Sequence, residues 1–137
     1  MHRLCCCRYL QWQFVSFSDH TFLPKNPSNL KSFLPAKFVI HTVGPVWHGK
    51  PKESELLANC YTHTLQLAVE NKCKTVAFPN ISTGVYRFPK DEAAVIAVKT
   101  VAAFLRTTNE IVKVIFACFD EENFYLIQRE LDKVNSR

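Results

Sequence analysis

The segment FPNISTGVYRFPKDEAA, from Phe78 to Ala94, has the residue types of an anion-binding loop. It reads as the end of an apolar strand, a short polar stretch with one glycine, and then Pro89 at the start of a helix. A turn from a strand into a helix presents free backbone N–H groups beside the positive end of the helix dipole. Gly84 would let a ligand approach the backbone closely. Residues 81–86 are therefore predicted to bind an anion, although ordinary strand-to-helix connections share this pattern.

Other chemistries find less support in the sequence. Three of the six cysteines are adjacent, at positions 5–7, which suits neither a disulfide framework nor the usual spacing of a zinc site. Cys60 and Cys118 lie in apolar patterns and are expected in the core. The five histidines have no metal-ligand spacing, and no G-x-S-x-G motif surrounds Ser82. We therefore expect no metal and no cofactor.

The net charge of +5 is confined to the first part of the chain. Residues 1–50 hold six Lys/Arg against Asp19 alone, whereas residues 51–137 hold eleven Lys/Arg and eleven Asp/Glu. The well-patterned part thus has no basic stripe, which argues against nucleic-acid binding. No segment has the length of a membrane span or the pattern of a signal peptide. A monomeric cytoplasmic protein of one domain is expected from these 137 residues.

The elements that must position the loop become regular from residue 37 onward. Apolar periodicity predicts a strand followed by a helix, three times over. The predicted elements are a strand at Lys37–Val43, a helix at Glu53–Glu70, a strand at Thr75–Phe78, a helix at Pro89–Thr107, a strand at Lys113–Phe119 and a helix capped by Asp120.

The predicted helix faces bury Leu57, Tyr61, Leu65 and Ala68; then Ala94, Val98, Val101 and Leu105; and last Phe124, Ile127, Leu131 and Val134. Helices of this length cross back over the sheet, so the strands should be parallel, with right-handed crossovers. Ligands of open α/β sheets lie outside the carboxyl ends of the strands. The loop 81–86 and Gly44-Pro45 follow predicted strands, Phe119 is the last residue of one, and all three are expected at this edge. The first 36 residues lack this pattern, apart from a possible strand at Gln11–Phe17 and a loop at Pro24–Ser32.

Three segments resemble the macrodomain family, above all its bacterial O-acetyl-ADP-ribose deacetylase branch, which also contains ADP-ribosyl-hydrolases. They are LPAKFVIHTVGPVW (Leu34–Trp47), AFPNISTGVYRFPKDEAA (Ala77–Ala94) and CFDEEN (Cys118–Asn123). The resemblance implies an α/β fold, namely a three-layer α/β/α sandwich with a mostly parallel sheet, here incomplete at the N-terminus. It also implies a diphosphate and ribose site in the loop and an aromatic residue against the adenine. The implied ligand-binding residues are Ile81, Ser82, Thr83, Gly84, Val85, Tyr86 and Phe119.

The sequence departs from the family before residue 34. The family's Asn-Ala-Ala-Asn segment is missing, and so is its glycine-rich loop ending in the aspartate that activates water; the chain has only three glycines. Asp19, in SFSDHTF, does not resemble that aspartate, so no catalytic residue is assigned. We interpret residues 1–33 as a divergent segment and residues 34–137 as the C-terminal portion of a macrodomain. A truncated or frame-shifted gene product is one hypothesis for this arrangement.

Three functions stay open at this point. The chain could hydrolyse the acetyl ester of O-acetyl-ADP-ribose, or the bond that links mono-ADP-ribose to a protein, with an ADP-ribosylated protein as a further partner. It could bind ADP-ribose weakly without turnover. It could also have no independent function, since a sheet without its early strands has an exposed edge. The sequence does not decide whether this chain is an enzyme.

Overall fold

A computed structural model describes residues 3–8, 22–24 and 38–136. Its elements are β1 (Arg3–Arg8), β2 (Phe22–Pro24), β3 (Phe38–Ile40), α1 (Pro51–Glu70), β4 (Thr75–Pro79), α2 (Lys90–Leu105), β5 (Lys113–Cys118) and α3 (Glu121–Asn135). The five elements from α1 to α3 lie where periodicity predicts them, with ends that differ by one or two residues. None of the helices in these ranges is long and apolar enough to cross a membrane.

The predicted helix faces form the core. All four predicted residues of α1 and all four of α2 are buried, because apolar side chains three and four positions apart share one face of a helix. On α3, Ile127 and Leu131 are buried, while Phe124 and Val134 are partly buried against the same core. Cys60 and Cys118 are buried in it as predicted. Helix α3 begins as expected, since the Asp120 side chain accepts a 2.8 Å hydrogen bond from the Asn123 amide.

The main sheet has three strands in the order β1-β5-β4, and both pairings are parallel. The parallel prediction is confirmed for β4 and β5, in which Phe78 pairs with Phe116. All three helices pack on the sheet face that carries these two rings; Tyr61 of α1 contacts Phe78 with 5.0 Å between ring centroids. Thr75 of β4 points to the opposite face and is exposed. The described residues therefore form the sheet and one helical layer of the predicted sandwich.

The prediction for Lys37–Val43 was wrong in length and in pairing. The strand there extends only over Phe38–Ile40, so His41 lies after it rather than within it. It pairs antiparallel with β2 in a separate two-stranded sheet, with Phe22 opposite Ile40. Aromatic and β-branched residues favour extended backbone next to any neighbour, so composition predicts a strand without specifying its partner or direction.

The N-terminal strands were missed. The cysteine triplet lies in β1, which runs parallel to β5 with Cys6 opposite Phe116, so residues 3–8 share a sheet with the family-like part of the chain. Pro24, predicted to begin a loop, is the last residue of β2, at a strand end where a missing N–H is tolerated. The predicted strand at Gln11–Phe17 and the rest of the predicted loop lie outside the described residues.

Candidate ligand-binding site

The loop between β4 and α2 is held in shape from within. The Phe88 amide donates a hydrogen bond to the Ser82 carbonyl, and the Arg87 amide donates one to the Gly84 carbonyl; the N···O distance is 2.9 Å in each. Ser82 and Arg87 have φ of 65° and 55°, in the left-handed region that side chains rarely adopt. Ile81 and Phe88 are buried at the two ends of the loop. The loop is therefore a folded structure between two anchors in the core, and it stands at the carboxyl end of β4.

Five consecutive backbone N–H groups of this loop, those of residues 82–86, have no hydrogen-bond acceptor within residues 3–8, 22–24 and 38–136 and are called unused below. None of them donates to a backbone carbonyl in the part of the chain that the structure describes. Helix α2 begins a few residues later, at Lys90, so the positive end of its dipole lies close in sequence. Unpaired amides beside a helix N-terminus are suited to oxygens of a phosphate group. This arrangement fits the predicted anion site.

Two side-chain oxygens near the amides are also unused. The Asn80 Oδ1 and the Ser82 Oγ are buried and find no hydrogen-bond partner among the described residues. Buried polar atoms in folded proteins nearly always have a partner, so these two are notable. The sequence indicated no role for Asn80. Its position directly before the loop makes it a further candidate for a polar contact with a ligand.

A second segment, residues 44–50, packs against the loop and is called the supporting segment here. Gly44, which the sequence placed at this edge, lies against the loop: a Cβ built there would stand 2.1 Å from Ser82 Oγ and 2.5 Å from Ile81 Cγ2. The Trp47 amide donates a hydrogen bond to the Tyr86 carbonyl with an N···O distance of 2.9 Å. The Trp47 ring packs on the Phe88 ring, with 4.6 Å between the ring centroids. Residues 44–50 thus touch the loop near its beginning and near its end.

The far end of this supporting segment is tied to a buried carboxylate that the sequence did not single out. Glu53, in the first turn of α1, accepts hydrogen bonds from the amides of His48 (2.8 Å) and Lys50 (3.2 Å). Its second oxygen lies 3.2 Å from His48 Nδ1. Burial alone would raise the pKa of Glu53, but these hydrogen bonds outweigh it and hold the pKa below its usual value. A glutamate at the third position of a helix, where a capping box has one, was the available signal.

The predicted adenine contact, Phe119, follows β5 directly and is 83% exposed. Because β4 and β5 are adjacent parallel strands, Phe119 and the loop lie at the same edge of the sheet. Lys90 links the two regions, since its Nζ lies 3.3 Å from Asp120 and 2.7 Å from Glu122. The hydrogen bond to Glu122 and the neighbouring Asp120 raise the pKa of Lys90, which stays charged. An exposed aromatic ring at this edge is available for stacking.

The remaining predicted residues differ in exposure. Thr83 and Tyr86 are half-buried, whereas Gly84 and Val85 are exposed at the outer part of the loop. A Cβ built on Gly84 meets nothing within 4 Å, so a ligand can approach this backbone freely. Burial raises the pKa of Tyr61 and of Cys60, and both side chains belong to the core next to the loop. Over the described ranges, no three His, Cys, Asp or Glu side chains cluster as a metal site would require.

Residues 30–97, which include the loop, match the family model described as Macro domain. The chain belongs to the macrodomain family. It is 56% identical over 99 residues to a protein named O-acetyl-ADP-ribose deacetylase from Klebsiella pneumoniae, which covers 72% of this chain and 57% of that protein. This macrodomain chain therefore spans little more than half the length of that relative.

Solved macrodomain structures have the same fold. One from Oceanobacillus iheyensis with ADP has a TM-score of 0.68 at 41% identity, covering 75% of this chain and 54% of that one. One from Trypanosoma brucei in complex with ADP-ribose has a TM-score of 0.66 at 34% identity, covering 72% and 41%. The α/β macrodomain fold predicted from the sequence is thereby confirmed.

Proposed function

We propose that this macrodomain binds ADP-ribose, with the diphosphate on the amides of residues 82–86 and the adenine against Phe119. The observation that carries the proposal is the row of five unused amides at the carboxyl edge of the sheet, just before a helix N-terminus. A diphosphate offers oxygens on two linked centres, which suits consecutive amides better than a single-point anion does. The solved relatives with ADP and ADP-ribose support the same ligand class.

The roles of the individual residues follow from their exposure and contacts. Gly84 and Val85 would lie over the diphosphate, with the half-buried Thr83 and Tyr86 beside the distal ribose. Ile81 anchors the start of the loop in the core and contributes little direct contact. In this division of roles, the backbone supplies most of the affinity and Phe119 supplies a stacking surface.

A calorimetric titration with ADP-ribose tests this function. Gly84→Glu places a negative charge and a side chain over the diphosphate and should reduce affinity by more than about tenfold, since one tenfold step corresponds to only about 1.4 kcal/mol. Val112→Glu is the matched control, because it adds the same charge at an exposed position just before β5, at the amino edge of the sheet. Saturable binding that survives in Gly84→Glu would contradict the proposed site.

Hydrolysis is the second candidate function, and the name of the Klebsiella relative favours O-acetyl-ADP-ribose as its substrate. We propose binding first, because neither the Asn-Ala-Ala-Asn segment nor the glycine-rich loop with its aspartate occurs in this sequence. An ADP-ribosylated protein would present the same diphosphate and is the corresponding macromolecular partner. Acetate release from O-acetyl-ADP-ribose, measured with the wild-type chain and with Gly84→Glu, separates the candidates. Turnover that is lost in the variant would establish the enzyme.

A further inference from the structure

The turn at His48–Lys50 depends on one carboxylate. Glu53 is 6% exposed; its Oε2 accepts two backbone N–H groups, and its Oε1 lies 3.2 Å from one imidazole nitrogen. Gly49, between the two donating residues, has φ of 78°, so the backbone reverses where the amides turn toward the acid. A glutamine would offer the two amides a neutral carbonyl oxygen in place of a charged one, and a neutral oxygen is the weaker acceptor. An anionic acceptor therefore holds this turn more strongly than a neutral one would.

The same turn is continuous with the support of the ligand loop. Trp47, directly before it, donates to the Tyr86 carbonyl and packs on Phe88, and Gly44 lies under Ser82. A shift of the turn must therefore pass to Trp47, which is one residue from the His48 amide held by Glu53. The Trp47 amide is hydrogen-bonded to the Tyr86 carbonyl, so a shift of Trp47 moves Tyr86. The N–H of Tyr86 is the last of the five unused amides.

We infer that Glu53 is a positioning residue for the ligand loop: it fixes residues 48–50, which hold Trp47 against Tyr86 and so set the spacing of the loop amides. Glu53 acts through this segment and does not itself need to touch the ligand. The inference rests on the proposed function only in its choice of ADP-ribose as the reporter of loop geometry. The arrangement of the turn and of Trp47 can be measured without any ligand.

The test compares Glu53→Gln with Glu130→Gln. Glu130 is a matched control because it is also a buried carboxylate (4% exposed) with charged partners, but it lies on α3 and pairs with Lys133 and Arg129. Affinity for ADP-ribose is measured at a temperature where both variants remain folded, together with hydrogen exchange of the Trp47 amide. Glu53→Gln should weaken binding about 3- to 10-fold, the equivalent of about one ordinary hydrogen bond. It should also speed Trp47 exchange, whereas Glu130→Gln should change neither.

Each result decides the inference. Wild-type affinity and unchanged Trp47 exchange in Glu53→Gln would overturn it, and so would equal losses in the two variants, which would indicate general destabilisation. If the wild-type chain itself does not bind ADP-ribose, the proposed function fails, but Trp47 exchange still tests the positioning role. If Glu53→Gln does not fold, Glu53→Asp keeps the charge on a shorter side chain. Its Trp47 exchange should lie above that of wild type, and an unchanged rate would refute the inference.

Discussion

Gly44→Ala is predicted to disrupt the ligand loop, because the added methyl group would collide with the first residues of that loop. The added Cβ would lie 2.1 Å from Ser82 Oγ and 2.5 Å from Ile81 Cγ2, where ordinary contacts are about 3.4–4 Å, so both atoms must retreat by roughly 1 Å. The Ser82 hydroxyl can rotate, but Ile81 is buried and has little room to move. Overpacking of this kind typically costs about 1–3 kcal/mol. Because the displaced residues begin the loop, affinity for ADP-ribose should fall as well.

Gly84→Ala is the matched control for this prediction. Its Cβ meets nothing within 4 Å, so the free energy of unfolding should stay within about 0.5 kcal/mol of wild type while affinity for ADP-ribose falls. Urea unfolding followed by circular dichroism measures stability, and calorimetry measures binding. The expected pattern is loss of both properties in Gly44→Ala and of binding alone in Gly84→Ala. A Gly44→Ala chain as stable as wild type would refute the close approach of the two segments.

Three further predictions concern the cap, the aromatic residue and acid. Asp120→Ala removes the acceptor for the Asn123 amide and should lower the free energy of urea unfolding by about 1 kcal/mol; no change would contradict the cap. Phe119→Ala should leave the free energy of unfolding unchanged, because the ring is exposed. It should weaken ADP-ribose binding by about 1–3 kcal/mol in a titration, as the loss of base stacking does. An affinity equal to that of wild type would show that Phe119 is not part of the site. The pKa values of Glu53 and Glu130 are lowered in the folded chain, so the stabilisation they give is complete above about pH 5 and is lost as the pH falls through their folded-state pKa values. The urea concentration at the unfolding midpoint should therefore fall as the pH is lowered below about 5. A midpoint that does not change with pH in this range would contradict the hydrogen bonds of the two carboxylates.

The helices were predictable because their information is local. Leu57, Tyr61, Leu65 and Ala68 fall on one face by their spacing alone, and Asp120 precedes α3 as an N-cap should. The loop 81–86 was recognisable for the same reason, since a strand end, a glycine and a helix start adjoin one another in the sequence. Such features need no knowledge of the tertiary fold.

The features that were missed depend on non-local partners. In β1, RLCCCR lacks the alternation that indicates a strand, and its place is set by pairing with β5, more than a hundred residues later. The direction of β3 follows from β2, and no pattern within Phe38–Ile40 encodes it. Gly44 was placed at the correct edge, but its contact with Ser82 arises only when the two segments pack. Glu53 likewise looks like any acid in a first helical turn until the amides it binds are seen.

The proposed site depends above all on the backbone amides of residues 82–86 receiving the diphosphate, and amide-resolved NMR tests this most directly. In a titration of ¹⁵N-labelled chain with ADP-ribose, these five N–H resonances should shift in a saturable way, since hydrogen bonding to phosphate oxygens changes the environment of each donor. Amides at the amino edge of the sheet, such as that of Val112, should not move. Saturable shifts that leave residues 82–86 unchanged would place the ligand elsewhere and contradict the account.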